Sequence, residues 1–213
     1  MLASGCGASS GTSAGGTGRS AGGTTTIPTT SSSTAGAAAG GSTGGAPSAG
    51  TSGSPVAPGA IARSVPVRLQ IPDIGVDTPV MSLGLAADGT VEVPPVKADS
   101  PAGWYRNSPT PGQTGPSVIL GHVTVGKYGN GVFLQLSRLR PGARVVVTLQ
   151  DGASAVFTVD SVRTVAKDQF PTQEVYGNVD RPELRLITCG GAKTSDGYLD
   201  NVLVFASLAS TAG

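Results

Sequence analysis

Charge is scarce in this sequence: Lys, Arg, Asp and Glu make up 13% of its 213 residues, and the net charge is only +1. No cluster of Lys and Arg occurs anywhere along it, which removes the basic footprint that nucleic-acid binding requires. Long apolar runs are missing too, and none approaches the roughly 20 residues a membrane-crossing helix needs. The sequence has one histidine, His122, and two cysteines, Cys6 and Cys189. One His and one Cys in the part able to fold do not complete a zinc site, which takes four N, S or O ligands, so no metal or cofactor is expected. A disulfide between Cys6 and Cys189 would staple little, because the intervening chain opens on a long Gly-rich tail.

What is abundant is unevenly placed. From Gly7 to Ala60 the chain is Gly, Ser, Thr, Ala and Pro, broken only by Arg19, Ile27 and Val56. Such a stretch cannot bury enough apolar area to offset the entropy of ordering it, and it is expected to stay disordered. As a Gly/Ser-rich tether it would span about 40 Å root-mean-square. All the aromatic and all the acidic residues fall between Ile61 and Leu208. The expected organisation is therefore a tail, 1–60, and one folded domain, 61–213, of ordinary domain length. The opening Ala3-Ser4-Gly5-Cys6 resembles the end of a bacterial lipoprotein signal, which implies a lipidated Cys6 and attachment to a membrane. The basic and apolar regions that precede such a cysteine are missing, and Ala3 stands where Leu is usual, so the true start is expected upstream of Met1. The alternative is a cysteine of no special role in a low-complexity tail.

The folded part reads as strands. Val65, Val67, Leu69 and Ile71 are apolar at every second position, the pattern of a half-buried strand, with Pro66 placing its start near an edge. Val118-Ile119-Leu120 is a short apolar run ending at Gly121-His122. Arg144 to Leu149 and Ala155 to Val162 flank Gln150-Asp151-Gly152 and predict a hairpin. Leu184 to Thr188 and Val202 to Ala206 supply further strands, and Val132 to Leu139 predicts a short helix stopped by Pro141-Gly142. Many short strands with frequent Gly/Pro turns and little helix predict an all-β fold, a barrel in preference to a sandwich.

Two residues of that fold carry chemistry. His122 follows a predicted strand, and Cys189 ends another in Leu184-Arg185-Leu186-Ile187-Thr188-Cys189-Gly190-Gly191. A nucleophilic thiol needs a base or cation beside it, because only the thiolate attacks. A strand end next to glycines gives a rigid mount, an open approach and backbone N–H groups that can point at an oxyanion. The plainer alternatives are a cysteine acting as a small buried hydrophobe and a histidine lying at the surface. Sequence separation does not decide between them, since catalytic pairs meet only in the fold.

The motifs around these residues resemble those of sortases. Leu186-Ile187-Thr188-Cys189 is similar to the family's Thr-Leu-X-Thr-Cys signature, and Leu120-Gly121-His122 to its histidine motif. Ile71 to Val76, Gly103-Trp104-Tyr105, Pro111 to Gly115, Phe170-Pro171-Thr172, Val175-Tyr176-Gly177, Thr188 to Gly191 and Tyr198 to Asn201 resemble the actinobacterial group called class F. The resemblance runs from about Pro66 to Ala206 and implies an eight-stranded β-barrel with short helices. It also implies a transpeptidase in which Cys189 attacks the Thr–Gly bond of a C-terminal Leu-Pro-X-Thr-Gly-like sorting signal. His122 would protonate the leaving amine, and an amine of the cell wall would resolve the thioacyl-enzyme. The implied partners are surface proteins bearing that signal and the wall amine, and the implied location is outside the cytoplasm, facing the wall. Thr188, Gly190, Phe170, Val175 and Tyr176 are the substrate-binding candidates.

One departure stands out. Sortases carry an arginine on the last core strand, and no Arg follows Cys189 in this chain; the matching position is Asn201. Arg185 shares the strand parity of Cys189, but four residues at about 3.3 Å each leave it roughly 13 Å away. Asn201 donating a neutral hydrogen bond, a distant arginine such as Arg106 folding into the site, and Asn201 merely capping a strand all remain open. Trp104 and Tyr105 are expected to anchor the core or a lid. Asp168 and Glu174 are too few acids for calcium, which takes six to eight oxygens. An L,D-transpeptidase is a rival reading, but it requires an Arg just after a Ser/His-Gly-Cys type nucleophile. A surface binding module that keeps a sortase-like barrel without turnover is the non-enzymatic one.

Overall fold

The computed structural model describes residues 61–213 except Asp196. The expected disorder and tether of the tail, the lipidation of Cys6 and the boundary at 60/61 concern or border residues outside that range. The strands are β1 Pro66–Ile71, β2 Val76–Leu83, β3 Ala102–Tyr105, β4 Gly115–Leu120, β5 Arg144–Leu149 and β6 Ser154–Ala166. A short helix, α1 Thr172–Tyr176, precedes β7 Pro182–Thr194 and β8 Gly197–Ala212. They close into an eight-stranded barrel in the order β1-β2-β3-β4-β7-β8-β6-β5. β2 with β3 and β4 with β7 run parallel, and the remaining neighbours are antiparallel. Closure removes the free strand edges on which other chains could pair. The fold class expected from the strand pattern is the one observed.

Two local expectations are corrected. Val65 and Val67 are 40% and 41% exposed, while Pro66, Leu69 and Ile71 are buried. The pairing of β1 with β5 shifts between Pro66 and Arg68. A bulge there inserts one residue and reverses the alternation, so the period-two reading fails upstream of it. Pro66 pairs with Leu149 beside this bulge, where its missing N–H costs no regular ladder bond, and not at an open edge. The helix expected over Val132 to Leu139 is a single 3₁₀ turn, Leu136–Arg138. Phe133, Leu136 and Leu139 recur every three residues and are all buried; three per turn is the 3₁₀ period, so this winding sends all three inward.

The hairpin between β5 and β6 forms as its turn residues require, with Leu149 N–H donating to Ala153 O at 2.8 Å. The barrel interior is filled by side chains such as Leu69, Trp104, Phe133, Phe157, Leu186 and Val204. A second cluster, including Leu83, Val118, Leu120, Val175, Ile187, Leu203 and Phe205, lies on the opposite face of β4, β7 and β8. All six positions of β4 are buried, as are Glu183 to Gly190 of β7, which explains why these strands read as continuous apolar runs. α1 and the β2–β3 connection contribute Val175 and Val91 to that outer cluster.

Candidate active site

The site grows out of the ends of three adjacent strands. In the antiparallel pairing of β7 with β8, Cys189 stands directly opposite Asn201, so the two side chains project from the same face. β4 runs parallel to β7, and its last paired position is Leu120 beside Ile187. His122 and Cys189 each lie two residues beyond that pair, on strands about 4.8 Å apart. Gly121 N–H donates to Ile187 O at 3.1 Å, and the Thr188 hydroxyl donates back to Gly121 O at 2.7 Å. These two bonds lock together the strand ends that carry the histidine and the cysteine. Cys189 is disulfide-bonded in this structure, and the chemistry assigned to it below is that of its reduced thiol.

His122 is gripped from several sides. Phe133 N–H donates to His122 O at 2.9 Å, and Gly131 packs so tightly on that carbonyl that a Cβ at 131 would overlap it. A Cβ at Gly121 would come within 2.6 Å of the Phe133 ring, which accounts for the glycine before the histidine. His122 Nε2 lies 2.6 Å from Pro94 O. A carbonyl only accepts, so Nε2 carries the proton and donates it, which leaves Nδ1 as the nitrogen able to exchange protons.

A small cavity of about 30 Å³ opens here, and His122, Pro94, Phe170, Tyr176, Thr188 and Asn201 are among its walls. Asn201 is 6% exposed, and its Nδ2 is buried with no hydrogen-bond partner. A buried amide donor without an acceptor costs stability unless something else uses it. Tyr176 is in a similar position: its hydroxyl is buried and unpartnered, and burial, with Tyr105 close by, pushes its pKa up to about 12. It therefore stays a neutral donor at ordinary pH. Tyr176 packs edge-on to Tyr105, with ring centroids 6.2 Å apart, and both line an adjoining cavity of about 300 Å³. Val91 and Tyr176 border both cavities, which therefore lie side by side.

The other candidates fall into place around these cavities. Phe170 lines the smaller one and contacts Tyr176. Val175 is wholly buried in the outer cluster, so it seats α1 and presents nothing to either cavity. Gly190 is buried against β8, where a Cβ would meet Val202 at 2.6 Å. Trp104 is a core residue whose Nε1 donates to Pro109 O at 3.2 Å. Pro94 and Val91, from the β2–β3 connection, were not singled out from the sequence; the Pro94-Pro95 dipeptide was the available sign of a rigid segment.

No arginine is among the residues lining the cavity beside His122. Arg185 is buried in an ion pair with Glu183, and its Cζ lies 4.6 Å from the Phe205 ring centroid. Arg163 covers the same ring at 4.3 Å and pairs with Glu174, holding that carboxyl below its usual pKa. The guanidinium of Arg106 packs against Gly84, at the start of the β2–β3 connection.

A cysteine and a histidine at the ends of neighbouring parallel strands of a closed barrel, with an amide opposite the cysteine, make a candidate cysteine–histidine site. The family model for the sortase domain matches residues 69–209, and the chain belongs to the sortase family. Sortase A from Corynebacterium diphtheriae superposes with a TM-score of 0.51 at 20% identity, covering 70% of this chain and 62% of that one. The chain thus spans under two thirds of that relative. The SrtA sortase from Actinomyces oris gives a TM-score of 0.52 at 24% identity over 76% of this chain and 89% of its own. Sortase A of Listeria monocytogenes gives 0.51 at 16% identity over 70% and 89%. No curated protein matches the chain.

Proposed function

We propose that this chain is a cysteine transpeptidase that cleaves a Leu-Pro-X-Thr-Gly-like sorting signal between Thr and Gly and transfers the acyl part to an amine. The observation that carries the reading is the three-strand juxtaposition of His122, Cys189 and the unpartnered Asn201 amide. His122 Nδ1 takes the proton of the Cys189 thiol, and the thiolate attacks the Thr carbonyl carbon. The Asn201 Nδ2 donates to the oxyanion, in the role an arginine fills in relatives. As the C–N bond breaks, the imidazolium returns its proton to the leaving amine, and the acyl group remains as a thioester on Cys189. An incoming amine gives a proton to Nδ1 as it attacks, a new amide forms and the thiolate leaves. The acyl segment must stay bound while amines exchange, which suits the walled cavities past Phe170 and Tyr176.

The acceptor in this reading is an amine of the cell wall, and the substrates are surface proteins bearing the signal. In the working enzyme of this reading Cys189 is reduced, residues 61–213 form the catalytic domain, and 1–60 is a tether anchored to the membrane through a lipidated Cys6, holding the enzyme outside the cytoplasm. The class F-like motifs quoted above support an enzyme of the actinobacterial kind. The missing arginine favours a second reading, a sortase-like binding module without turnover, and one experiment separates them. The full chain, kept in reductant, is mixed with a panel of Leu-Pro-X-Thr-Gly-like peptides and an amine, and followed by intact mass. A thioacyl adduct and an amide product, both absent in Cys189→Ala, are expected. Peptide binding with no adduct for any peptide would establish the binding module.

A further inference from the structure

The β2–β3 connection, residues 84–101, runs past the histidine and does more than join two strands. Its first half is tied into itself: Gly84 N–H donates to Glu92 Oε2 at 2.6 Å, Glu92 N–H donates to Gly84 O at 3.0 Å, and Leu85 bridges Val91. Its second half folds back on Pro95, whose carbonyl accepts from Lys97 N–H at 3.1 Å and from the Ser100 hydroxyl at 2.8 Å. Ser100 is only 4% exposed, and Asp99 before it adopts a left-handed φ of 53° that turns the chain inward. Between the two halves sits Pro94, buried, its carbonyl accepting the Nε2–H of His122 at 2.6 Å.

We propose that this connection is a positioning strap for the acid–base histidine, in which the Pro94 carbonyl fixes the Nε2–H tautomer and Ser100, through Pro95, fixes Pro94. The inference rests on the reading of His122 as acid–base residue. A histidine that shuttles protons needs one nitrogen committed so that the other is presented in a single orientation. Triads do this with a carboxylate; no carboxylate or cation lines the cavity here. The titratable side chain that lines the cavity with His122 is Tyr176 on α1, and Cys189 stands on β7 two residues beyond the Leu120–Ile187 pair; the Nε2 proton goes to neither but to Pro94 O. A neutral carbonyl does so instead, and two consecutive prolines make it stiff, since each ring fixes its own φ. The bond strengthens when the ring is charged, so the strap keeps the ring in one orientation as Nδ1 takes up and gives back its proton.

The test uses the full chain in reductant. Its single histidine makes the imidazole nitrogen resonances unambiguous without assignment. Nitrogen-15 spectra of the resting protein above the imidazole titration are expected to show the Nε2–H tautomer; an Nδ1–H tautomer overturns the proposal. This measurement needs no substrate, so it stands even if no peptide is turned over. Next, lactic acid in place of Pro95 turns the 94–95 amide into an ester, whose carbonyl is a weaker acceptor. Pro95→Ala keeps the amide and controls for loss of the ring. Relative to that control, the ester is expected to lower the acylation rate about threefold to tenfold with little change in peptide KM. A weaker acceptor also guards the Nε2–H less, so that proton should exchange with solvent faster in the ester than in the control. Ser100→Ala should move both quantities the same way, and Ser100→Thr should restore them. Equal acylation rates and equal Nε2–H exchange for ester and control would overturn the strap while leaving the transpeptidase reading intact.

Discussion

At the scale of single residues, the site is set by what each side chain lacks. Asn201 has a buried Nδ2 with no acceptor, a cost that the fold carries at the position facing the cysteine. Asn201→Ala is expected to reduce the acylation rate about 10²- to 10³-fold, the usual loss for one oxyanion donor. Peptide binding should change far less, which stopped-flow acylation alongside equilibrium binding would reveal. Equal losses in both would reassign Asn201 to substrate binding. Tyr176 carries the second orphan, a hydroxyl whose pKa is raised to about 12 by burial. The folded state then holds that proton more tightly than the unfolded chain, where a tyrosine ionises near pH 10. The stability tied to this group is complete below about pH 10 and is lost as pH rises toward 12, to the extent of about 2–3 kcal/mol. Denaturant titrations across that window should show the decline in the parent and a smaller one in Tyr176→Phe.

At the scale of elements, the short helix α1 is held by what lies beneath and beside it. Five residues are too few to be helical on their own, so tertiary contacts must supply the stability. Val175 plugs into the outer cluster, and Arg185 Nε donates to Glu174 O at 3.3 Å. The exposed Arg163–Glu174 pair adds little by itself. Its carboxyl is held below its normal pKa, so its contribution is present above the ordinary carboxylate value and fades as pH falls through the lowered one. Val175→Ala is expected to cost about 1–3 kcal/mol in thermal or chemical unfolding. Because the same helix carries Tyr176, the variant should also raise peptide KM more than it lowers the acylation rate. The Arg185 position shows how an element reassigns a residue. By strand parity it shares the face of Cys189, yet burial binds it to Glu183 and the Phe205 ring, so it braces the sheet under α1.

At the scale of the whole molecule, the barrel is closed by β8, which pairs with β7 on one side and with β6 as far as Ser154 opposite Ala212 on the other. All eight strands of this closure lie between Pro66 and Ala212. Ile61 is tied in by its N–H to Gly112 O at 3.0 Å and packs against the core. A chain beginning at Ile61 is therefore expected to unfold, in reductant, within a few degrees of the full chain and to acylate soluble peptide equally fast. A large fall in its melting temperature would assign the first 60 residues a share in the fold. On the reading proposed above, membrane attachment should be lost with the tail, which flotation of the two chains with vesicles would check.

Much of this protein was legible in the order of its residues. The β-branched runs and their Gly/Pro breaks foretold an all-β barrel, because alternation and turn chemistry are local properties that pairing only confirms. His122 and Cys189 were singled out as the one histidine and the one cysteine ending predicted strands, and Asn201 because the sortase resemblance puts an arginine at its position. Three things lay beyond that reading. The bulge at Pro66 to Arg68 reversed the facing of β1, since register belongs to a pair of strands and not to one. The helix expected over 132–139 gave way to a 3₁₀ turn because the barrel floor wanted Phe133, Leu136 and Leu139 on one line. Pro94 joined the site from a connection 28 residues before the histidine, through a backbone carbonyl that carries no side-chain signature. Sequence alone determined which groups exist and which local shapes they favour. Tertiary structure decided which of them meet, because hydrogen bonds and burial are set by distance in space.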